Sequence, residues 1–329
     1  MLSDSKDEVF RTQLEPYRRA ITAHCYRMLG SLQDAEEITQ ESFLRSWQRL
    51  DELRSSGSSK AWLYKIATNA CLDRLKQRRR RVQPHQVAPQ ADPERPFGPV
   101  DSERLWIEPA PDALFEVRED VRQQPDVRAA MHESIGLAFI TALQVLQPKQ
   151  RAALLLVDVL GWRPREAAEL LETTEISVNS LLQRARKNLE TYQAEPPRSA
   201  RLDDAEIVRR YIAIWESGDI EAFTALLAED AVMSMPPQPE WYAGRVAIAR
   251  FLERVRAAEP RQYRFVSVRA NGAPGVAVYA RSAGGEPYDA AGITLFFARD
   301  RWVSQVTRFV VPSLFPLFGL PARMPNERA

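Results

Sequence analysis

The N-terminal half of the chain contains two informative segments, Asp34-Ala35-Glu36-Glu37-Ile38-Thr39-Gln40-Glu41-Ser42-Phe43 and Ala61-Trp62-Leu63-Tyr64-Lys65-Ile66-Ala67-Thr68-Asn69-Ala70. Around the first segment, apolar residues recur at roughly helical spacing from Ala35 to Leu50, which predicts a helix over 34–50. Around the second, they recur at spacings of three and one from Leu63 to Cys71, which predicts a helix over 60–81. Each predicted helix therefore has one face to bury and one polar face.

The second predicted helix ends in a basic run, Lys76-Gln77-Arg78-Arg79-Arg80-Arg81. Neighbouring cations repel one another unless an anion neutralises them, and a phosphate backbone does so while it releases counterions. A structural role is the alternative, because cations near a helix C-terminus also complement the helix dipole. The acidic face of the first helix is likewise open to a simple interpretation as a solvated surface.

A second helical block follows, with helices predicted over 137–146, 149–160, 165–171 and 175–192. The last two are joined by Glu172-Thr173-Thr174, which is helix-turn-helix spacing, and Thr174 is suited to cap the last helix. That helix has polar residues able to reach base edges and phosphates: Ser177, Asn179, Ser180, Gln183, Arg184, Arg186 and Lys187. Helical hairpins also occur in folds that never contact DNA, so spacing alone leaves this function open.

The order and spacing of three motifs, the two segments above and His24-Cys25-Tyr26-Arg27-Met28-Leu29-Gly30, resemble region two of the sigma-70 family. The resemblance is closest to its extracytoplasmic-function group. The segments Leu146-Gln147-Pro148-Lys149-Gln150-Arg151 and Val178-Asn179-Ser180-Leu181-Leu182-Gln183-Arg184-Ala185-Arg186 resemble region four of the same proteins. Glu172 stands where the family usually has glycine, and Asn179 and Leu181 stand where many members have Lys and Arg.

The resemblance implies two partners, core RNA polymerase and promoter DNA. The residues implied to dock on the polymerase clamp are Asp34, Glu37, Gln40 and Glu41. Those implied to contact bases of the melted minus-ten element are Arg54, Ser55, Ser56 and Asn69, and those implied to contact its phosphates are Lys65, Lys76, Arg78, Arg79, Arg80 and Arg81. Trp62 either stacks on a base or packs inside the domain. Region four is implied to read the minus-thirty-five element in the major groove.

Eight prolines between positions 84 and 125 mark a linker, and residues 105–114 form an apolar island in it that we expect to pack on one of the domains. The island resembles a motif of those sigma factors that carry a C-terminal extension. Beyond residue 202, two helical stretches precede runs of period two at 263–268, 276–280 and 293–297. The helix–Gly-Asp–helix–Asp-Ala-Val order there resembles a SnoaL-like domain, a cone-shaped α+β fold.

This fold hosts both enzymes and binding modules, so two interpretations of the C-terminal domain are kept. Residues that suit a pocket for a small apolar ligand are Trp215, Met233, Met235, Trp241 and Tyr242, although ordinary core packing explains them equally. Asp230 is the one early carboxylate suited to act as a general base, and its place also suits a cap. We favour a regulatory module that tunes sigma activity over an enzyme.

The predicted fold class is multidomain: two all-α domains, a helical bundle and a helix-turn-helix, followed by an α+β domain. The boundaries are 8–82 for region two, 83–130 for the linker, 131–193 for region four, 202–311 for the SnoaL-like domain and 312–329 for a tail. We expect a non-enzymatic sigma factor that is cytoplasmic, binds no membrane and needs no metal or cofactor, since the histidines and cysteines lack metal-ligand spacing. The alternatives are a stand-alone helix-turn-helix regulator and a SnoaL-like enzyme with a DNA-binding front end.

Overall fold

The computed structural model describes residues 2–53, 58–116, 136–190, 203–258, 261–281 and 287–324. The chain divides into two compact units. The helical unit comprises residues 1–81 and 112–194, and the C-terminal unit comprises residues 82–111 and 195–329.

The first helices of the helical unit begin and end where short polar residues and glycine permit. They are α1 (Leu2–Val9), α2 (Arg18–Leu29), α3 (Leu32–Gln48), α4 (Leu50–Leu53) and α5 (Ser59–Gln77). Ser31 and Ser58 cap α3 and α5, because each side chain accepts a hydrogen bond from the backbone N–H three residues on. Gly30 ends α2 in the left-handed conformation that glycine adopts without strain. The predicted helix 60–81 is therefore too long, since α5 ends at Gln77.

The second helical block contributes α6 (Leu137–Leu143), α7 (Pro148–Leu154), α8 (Pro164–Leu170) and α9 (Glu175–Glu190), with a π-helical turn at Leu155–Val159 after α7. Thr174 caps α9 as predicted, since its hydroxyl accepts from the N–H of Ser177 at 3.2 Å. The helix-turn-helix spacing of α8 and α9 is thus present, with Val178, Leu182 and Ala185 on the buried face of α9.

The two helical blocks, which the sequence predicts as two all-α domains, pack together into one compact unit. Arg151 of α7 is buried and donates to the carbonyl oxygen of Met28 in α2 and, at 2.8 Å, to Oε1 of Gln144. Burial lowers the pKa of Arg151 to about 10, which leaves the guanidinium charged at neutral pH. Trp162 adds an edge contact to Tyr64, with ring centroids 5.5 Å apart. These long-range contacts have no signature in local sequence.

The C-terminal unit is built on a seven-stranded sheet. Its strands are β1 (Leu227–Ser234), β2 (Trp241–Ala243), β3 (Gln262–Ala270), β4 (Ala273–Arg281), β5 (Tyr288–Arg299), β6 (Trp302–Phe309) and β7 (Arg323–Met324). Their order is β2-β1-β6-β5-β4-β3, with β7 beside β5, and only the pairing of β1 with β6 is parallel among the described strands. The three predicted period-two runs lie in β3, β4 and β5, which confirms those predictions.

Three helices enclose the core of this unit: α10 (Asp204–Glu216), α11 (Ile220–Thr224) and α12 (Arg245–Ala258). Tyr211 of α10 lies at the centre, with its ring 4.9 Å from Phe296 of β5 and 5.4 Å from Phe223 of α11. Phe251 of α12 stacks on Tyr242 of β2 at 4.4 Å. Such aromatic pairs add to the free energy that apolar burial supplies.

Residues 82–111, the first part of the predicted linker, belong to the C-terminal unit. Trp106, Ile107 and Ala110 of the apolar island are buried, which confirms that the island packs on a domain. The backbone of Ala110 is held twice by Asn271: its N–H donates to Oδ1 at 2.9 Å, and its carbonyl accepts from the Asn271 N–H at 3.1 Å. Asn271 is left-handed (φ +51°) in the β3–β4 hairpin, a position that asparagine tolerates. The path of this segment is therefore fixed by specific contacts.

The predicted C-terminal tail, 312–329, also needs correction over its described residues. Leu314 and Phe315 are fully buried, and Phe315 makes an edge contact with Tyr279 at 5.0 Å. Strand β7 then pairs with Tyr288 and Asp289 of β5. The apolar residues between Pro312 and Pro316 bring this segment back onto the sheet.

Candidate functional site

The exposed face of α3 holds three of the four residues implied to dock on polymerase. Gln40 is exposed, Glu37 pairs with Arg74 at 2.9 Å, and Glu41 pairs with Arg45. Leu44 lies one turn further along, and 58% of it is exposed. With Phe10, Phe43 and Trp47, it lines a groove of about 470 Å³. Sequence reasoning missed Leu44. Its position on the polar face of the helix, opposite the buried apolar residues, could have identified it as an exposed apolar side chain.

Asp34 is not on that face, which corrects its predicted placement. It is 7% exposed and accepts from three arginines: Arg78 at 2.8 and 2.9 Å, Arg81 at 2.5 Å and Arg74 at 3.4 Å. A carboxylate that is surrounded by guanidinium groups and largely shielded from solvent is held by charge-assisted hydrogen bonds. Asp34 thus joins the start of α3 to the end of α5.

The same contacts divide the basic run implied to bind phosphates. Arg78 takes an extended conformation after α5, and Arg81 is buried, because both side chains reach Asp34. Arg79 and Arg80 remain exposed, and Lys76 is exposed and pairs with Asp73. Two of the four arginines are therefore placed to meet an external anion, and the other two serve the fold in this structure.

The residues implied to read the minus-ten strand fall into three groups. Arg54, Ser55 and Ser56 lie outside the described residues. Lys65 and Asn69 are half-buried and share a cleft of about 650 Å³ with Arg45, Arg49, Trp62 and Glu172. Trp62 is half-buried and also lines a neighbouring cleft of about 670 Å³, so its side chain packs in the domain only in part.

The face of α9 away from its core stripe carries the residues implied to read duplex DNA. Asn179, Ser180, Gln183, Arg184 and Lys187 are exposed, as predicted for a reading surface. Ser177 is half-buried and bonded to the capping hydroxyl of Thr174 at 2.9 Å, and Arg186 is held by Asp158 at 2.7 Å. Ile176, which sequence reasoning missed, is 80% exposed at the start of the helix, where an apolar side chain suits a thymine methyl group.

Most of the residues proposed to line a ligand pocket lie in or against the hydrophobic core of the C-terminal unit. Met233, Met235 and Tyr242 are buried in the hydrophobic core, and Trp215 is partly buried and packs against it. Trp241 donates from Nε1 to the carbonyl oxygen of Ala88 at 2.8 Å. Core packing, the alternative considered from sequence, therefore describes Met233, Met235 and Tyr242. The indole N–H of Trp241 is bound by a backbone carbonyl of the linker segment.

The surroundings of Asp230 do not suit a general base. It lies within β1 rather than in a helix-to-strand turn, its side chain is 67% exposed, and both its oxygens accept from Arg299 at 2.8 Å. The hydrogen bond from Arg299 lowers the pKa of Asp230, whereas a base acting near neutral pH needs a raised one. Within the described parts of the chain, no three His, Cys, Asp or Glu side chains are arranged to hold a metal ion.

Three family models match the chain in this order: "Sigma-70 region 2" over residues 14–81, "Sigma-70, region 4" over 136–189 and "SnoaL-like domain" over 208–305. No helix in the ranges that the structure describes is long and apolar enough to cross a membrane.

Among relatives, the chain is 40% identical to the ECF RNA polymerase sigma factor SigG of Mycobacterium tuberculosis H37Rv, over 97% of this chain and 86% of that one. It is 26% identical to the ECF RNA polymerase sigma factor SigJ of the same strain, over 68% of this chain and 64% of that one. The crystal structure of SigJ from M. tuberculosis matches with a TM-score of 0.58 at 22% identity, covering 98% of this chain and all of that one. That last match supports the fold alone.

Proposed function

The chain belongs to the extracytoplasmic-function (ECF) sigma factors of the sigma-70 family, and from that premise we propose which of its residues bind polymerase and which bind promoter DNA. A sigma factor binds core RNA polymerase and directs it to promoters, so its mechanism is differential binding. The observation that carries the assignment is similarity to a sigma factor along nearly the whole chain. A stand-alone regulator and an enzyme with a DNA-binding front end do not account for it.

We propose that polymerase docks on the exposed face of α3 through Glu37, Gln40, Glu41 and Leu44. Leu44 is the apolar centre of this surface, and the polar residues form its rim. Interfaces draw most of their affinity from a few central residues that pack tightly and lose water on binding, whereas rim charges mainly govern association rate. Asp34 contributes by holding α3 in place, through contacts within the chain.

Replacement of Leu44 with serine tests this surface. We expect core polymerase to bind about tenfold more weakly, since burial of a leucine side chain is worth roughly 1.5–3 kcal/mol, while the free energy of unfolding stays unchanged because Leu44 is largely exposed in the free chain. Titration of labelled core enzyme measures the affinity. Val246→Ser is the matched control, because Val246 is 66% exposed in the C-terminal unit. Equal affinity for L44S and wild type contradicts the assignment.

For promoter DNA, we propose that Lys65, Asn69, Trp62 and the exposed Arg79 and Arg80 receive the melted minus-ten strand. Cations that follow a backbone and an aromatic ring on which a base stacks are the usual elements of single-strand binding. The exposed face of α9 is proposed to read the minus-thirty-five element, with Asn179, Gln183 and Arg184 at the base edges. The domain boundaries expected from sequence are kept, except that residues 82–111 and the described part of the predicted tail, residues 312–324, are assigned with the C-terminal unit.

We further propose that the C-terminal unit regulates promoter recognition by holding the linker and catalyses no covalent reaction. The chain from Val82 to Pro111 is the first part of the connection between the two promoter-binding regions, and it is bonded to this unit at several points. Its contacts include Gly98 N–H to Oε1 of Glu240 at 2.6 Å and Arg254 Nε to the carbonyl of Pro93 at 2.7 Å. A held linker loses less conformational entropy when both regions engage one promoter. The exposed, paired Asp230 argues against general-base catalysis here.

Run-off transcription with core polymerase, comparing the full chain with one that ends at Ala200, tests this role. We expect about three- to tenfold less transcript from the shortened chain at a promoter with both elements, because 82–111 loses the surface that fixes its path. Asn271→Gly is the finer variant, since glycine tolerates the left-handed turn but lacks the amide that binds Ala110. We expect a smaller loss in the same direction. Equal transcript from all three proteins at every promoter argues against regulation by this unit.

A further inference from the structure

The turn between α8 and α9 lies against the surface of α5 that we assign to the minus-ten strand. Lys65 Nζ is 2.8 Å from Oε1 of Glu172. Two further carboxylates, Glu166 and Glu169, line the neighbouring cleft, and both clefts share Trp62 and Lys65. Spacings of three residues place these acids along one side of α8 and its turn. An acidic edge of region four therefore faces a basic and aromatic surface of region two within one unit.

Glu172 has an unusual backbone for its residue type. Its φ is +52°, in the left-handed region that glycine occupies without strain and that a residue with a Cβ rarely adopts. Glycine is therefore the residue that the turn itself favours. The structure gives glutamate a compensating contact, the ion pair with Lys65, and hydrogen bonding from Lys65 lowers the pKa of Glu172. The carboxylate is therefore fully ionised at neutral pH.

The cleft around this ion pair has the composition of a site for single-stranded nucleic acid. It is lined by three cations, Arg45, Arg49 and Lys65, with the Trp62 ring and the Asn69 amide. Arg45 is itself paired with Glu41 of α3. Glu172 is the one acid among the residues that line this cleft. Its ionised carboxylate binds the Lys65 ammonium group as a phosphate oxygen of DNA binds a lysine.

We infer that Glu172 is an internal phosphate mimic, which occupies Lys65 in the free sigma factor and competes with the promoter strand for it. The inference rests on the proposed function, since it presumes that Lys65 and its neighbours receive the minus-ten strand. Engagement of region four elsewhere on the transcription complex removes Glu172 from the cleft and frees the lysine. The pair is solvent-exposed, with 41% of the Lys65 and 71% of the Glu172 side chain accessible, so the competition is modest and readily reversed.

We call the Glu172–Lys65 ion pair in this role the latch. Anisotropy titrations of a labelled mixed-sequence single-stranded 12-mer with the free, full-length protein test it. Glu172→Gln removes the charge and keeps the backbone strain, whereas Glu172→Gly removes both. We expect both variants to bind about two- to fivefold more tightly than wild type, the range for release of an exposed ion pair. Because one more counterion-releasing contact becomes available, the log–log salt dependence should steepen by about 0.7. Glu8→Gln, an exposed acid of the same unit, is the control for net charge.

Lys65→Ala separates failure of the latch from failure of the proposed function. If Lys65→Ala weakens binding of the 12-mer while both Glu172 variants bind like wild type, the latch is overturned and the minus-ten assignment stands. If Lys65→Ala changes binding neither in the free protein nor in the holoenzyme on a pre-melted promoter, the assignment falls and the latch falls with it. An equal gain in Glu8→Gln also overturns the latch, because the effect is then one of net charge. Tighter binding confined to the Glu172 variants supports it.

Discussion

Replacement of Asp34 with alanine is expected to lower the free energy of unfolding of the helical unit by about 2–4 kcal/mol. The side chains of Asp34 and Arg81 are each 10% exposed, and that of Arg74 is 16% exposed. Loss of the carboxylate leaves these guanidinium groups close together, poorly hydrated and without their shared counter-charge. The cost of uncompensated charge exceeds the net value of the ion pairs, which is why removal of one partner has a large effect.

Hydrogen exchange of the α3 and α5 amides in the full chain measures this effect, since it reports local stability without requiring the whole protein to unfold in one step. Glu37→Ala is the matched control, because Glu37 also pairs with Arg74 but its side chain is 62% exposed. We expect it to cost less than about 1 kcal/mol. A loss for Asp34→Ala no larger than that of the control shows that the arginine cluster is not a stabilising centre.

The pair of variants also separates two roles that the sequence pattern merges. Asp34 and Glu37 are both acids on α3, and the family resemblance assigns both to the polymerase surface. In the structure only Glu37 faces outward. We therefore expect Glu37→Ala to act on polymerase affinity and Asp34→Ala to act through the fold.

Local periodicity was sufficient to predict most helices, because the buried face of an amphipathic helix requires an apolar residue every three to four positions. It failed at the end of α5, where the basic run continues a helical composition. The chain leaves the helix at Arg78 because that side chain and Arg81 reach Asp34, more than forty residues earlier. A contact at such separation is invisible to any local window.

Composition predicted that the apolar island of the linker is buried but not which surface buries it. Trp106 bonds within its own segment, from Nε1 to the carbonyl of Asp101 at 3.0 Å, and Ala110 reaches Asn271 across 161 positions. The residues assigned to a ligand pocket were a similar case. Large apolar side chains such as Met233 and Tyr242 suit both a cavity lining and a packed core, and only tertiary structure distinguishes the two.

Simultaneous replacement of Arg79 and Arg80 with alanine is expected to weaken promoter binding by the holoenzyme about tenfold at physiological salt. Each phosphate contact to the melted strand contributes a salt slope of about 0.7, so loss of both should flatten the log–log dependence by about 1.4. Both side chains are exposed beyond the end of α5, so their removal leaves the buried cluster intact. Filter binding over a series of salt concentrations measures both quantities.

Arg78→Ala is the comparison that makes this result specific. Arg78 belongs to the same basic run, yet its Nη1 lies 2.8 Å from Asp34, so its guanidinium already binds a carboxylate within the chain. We expect its removal to leave the salt slope nearly unchanged, and Arg79→Lys with Arg80→Lys to retain the wild-type slope, because lysine still releases a counterion. If Arg78→Ala flattens the slope as much as removal of its two neighbours, the whole run contacts phosphate, and the Asp34 cluster must then open when the polymerase reaches its promoter.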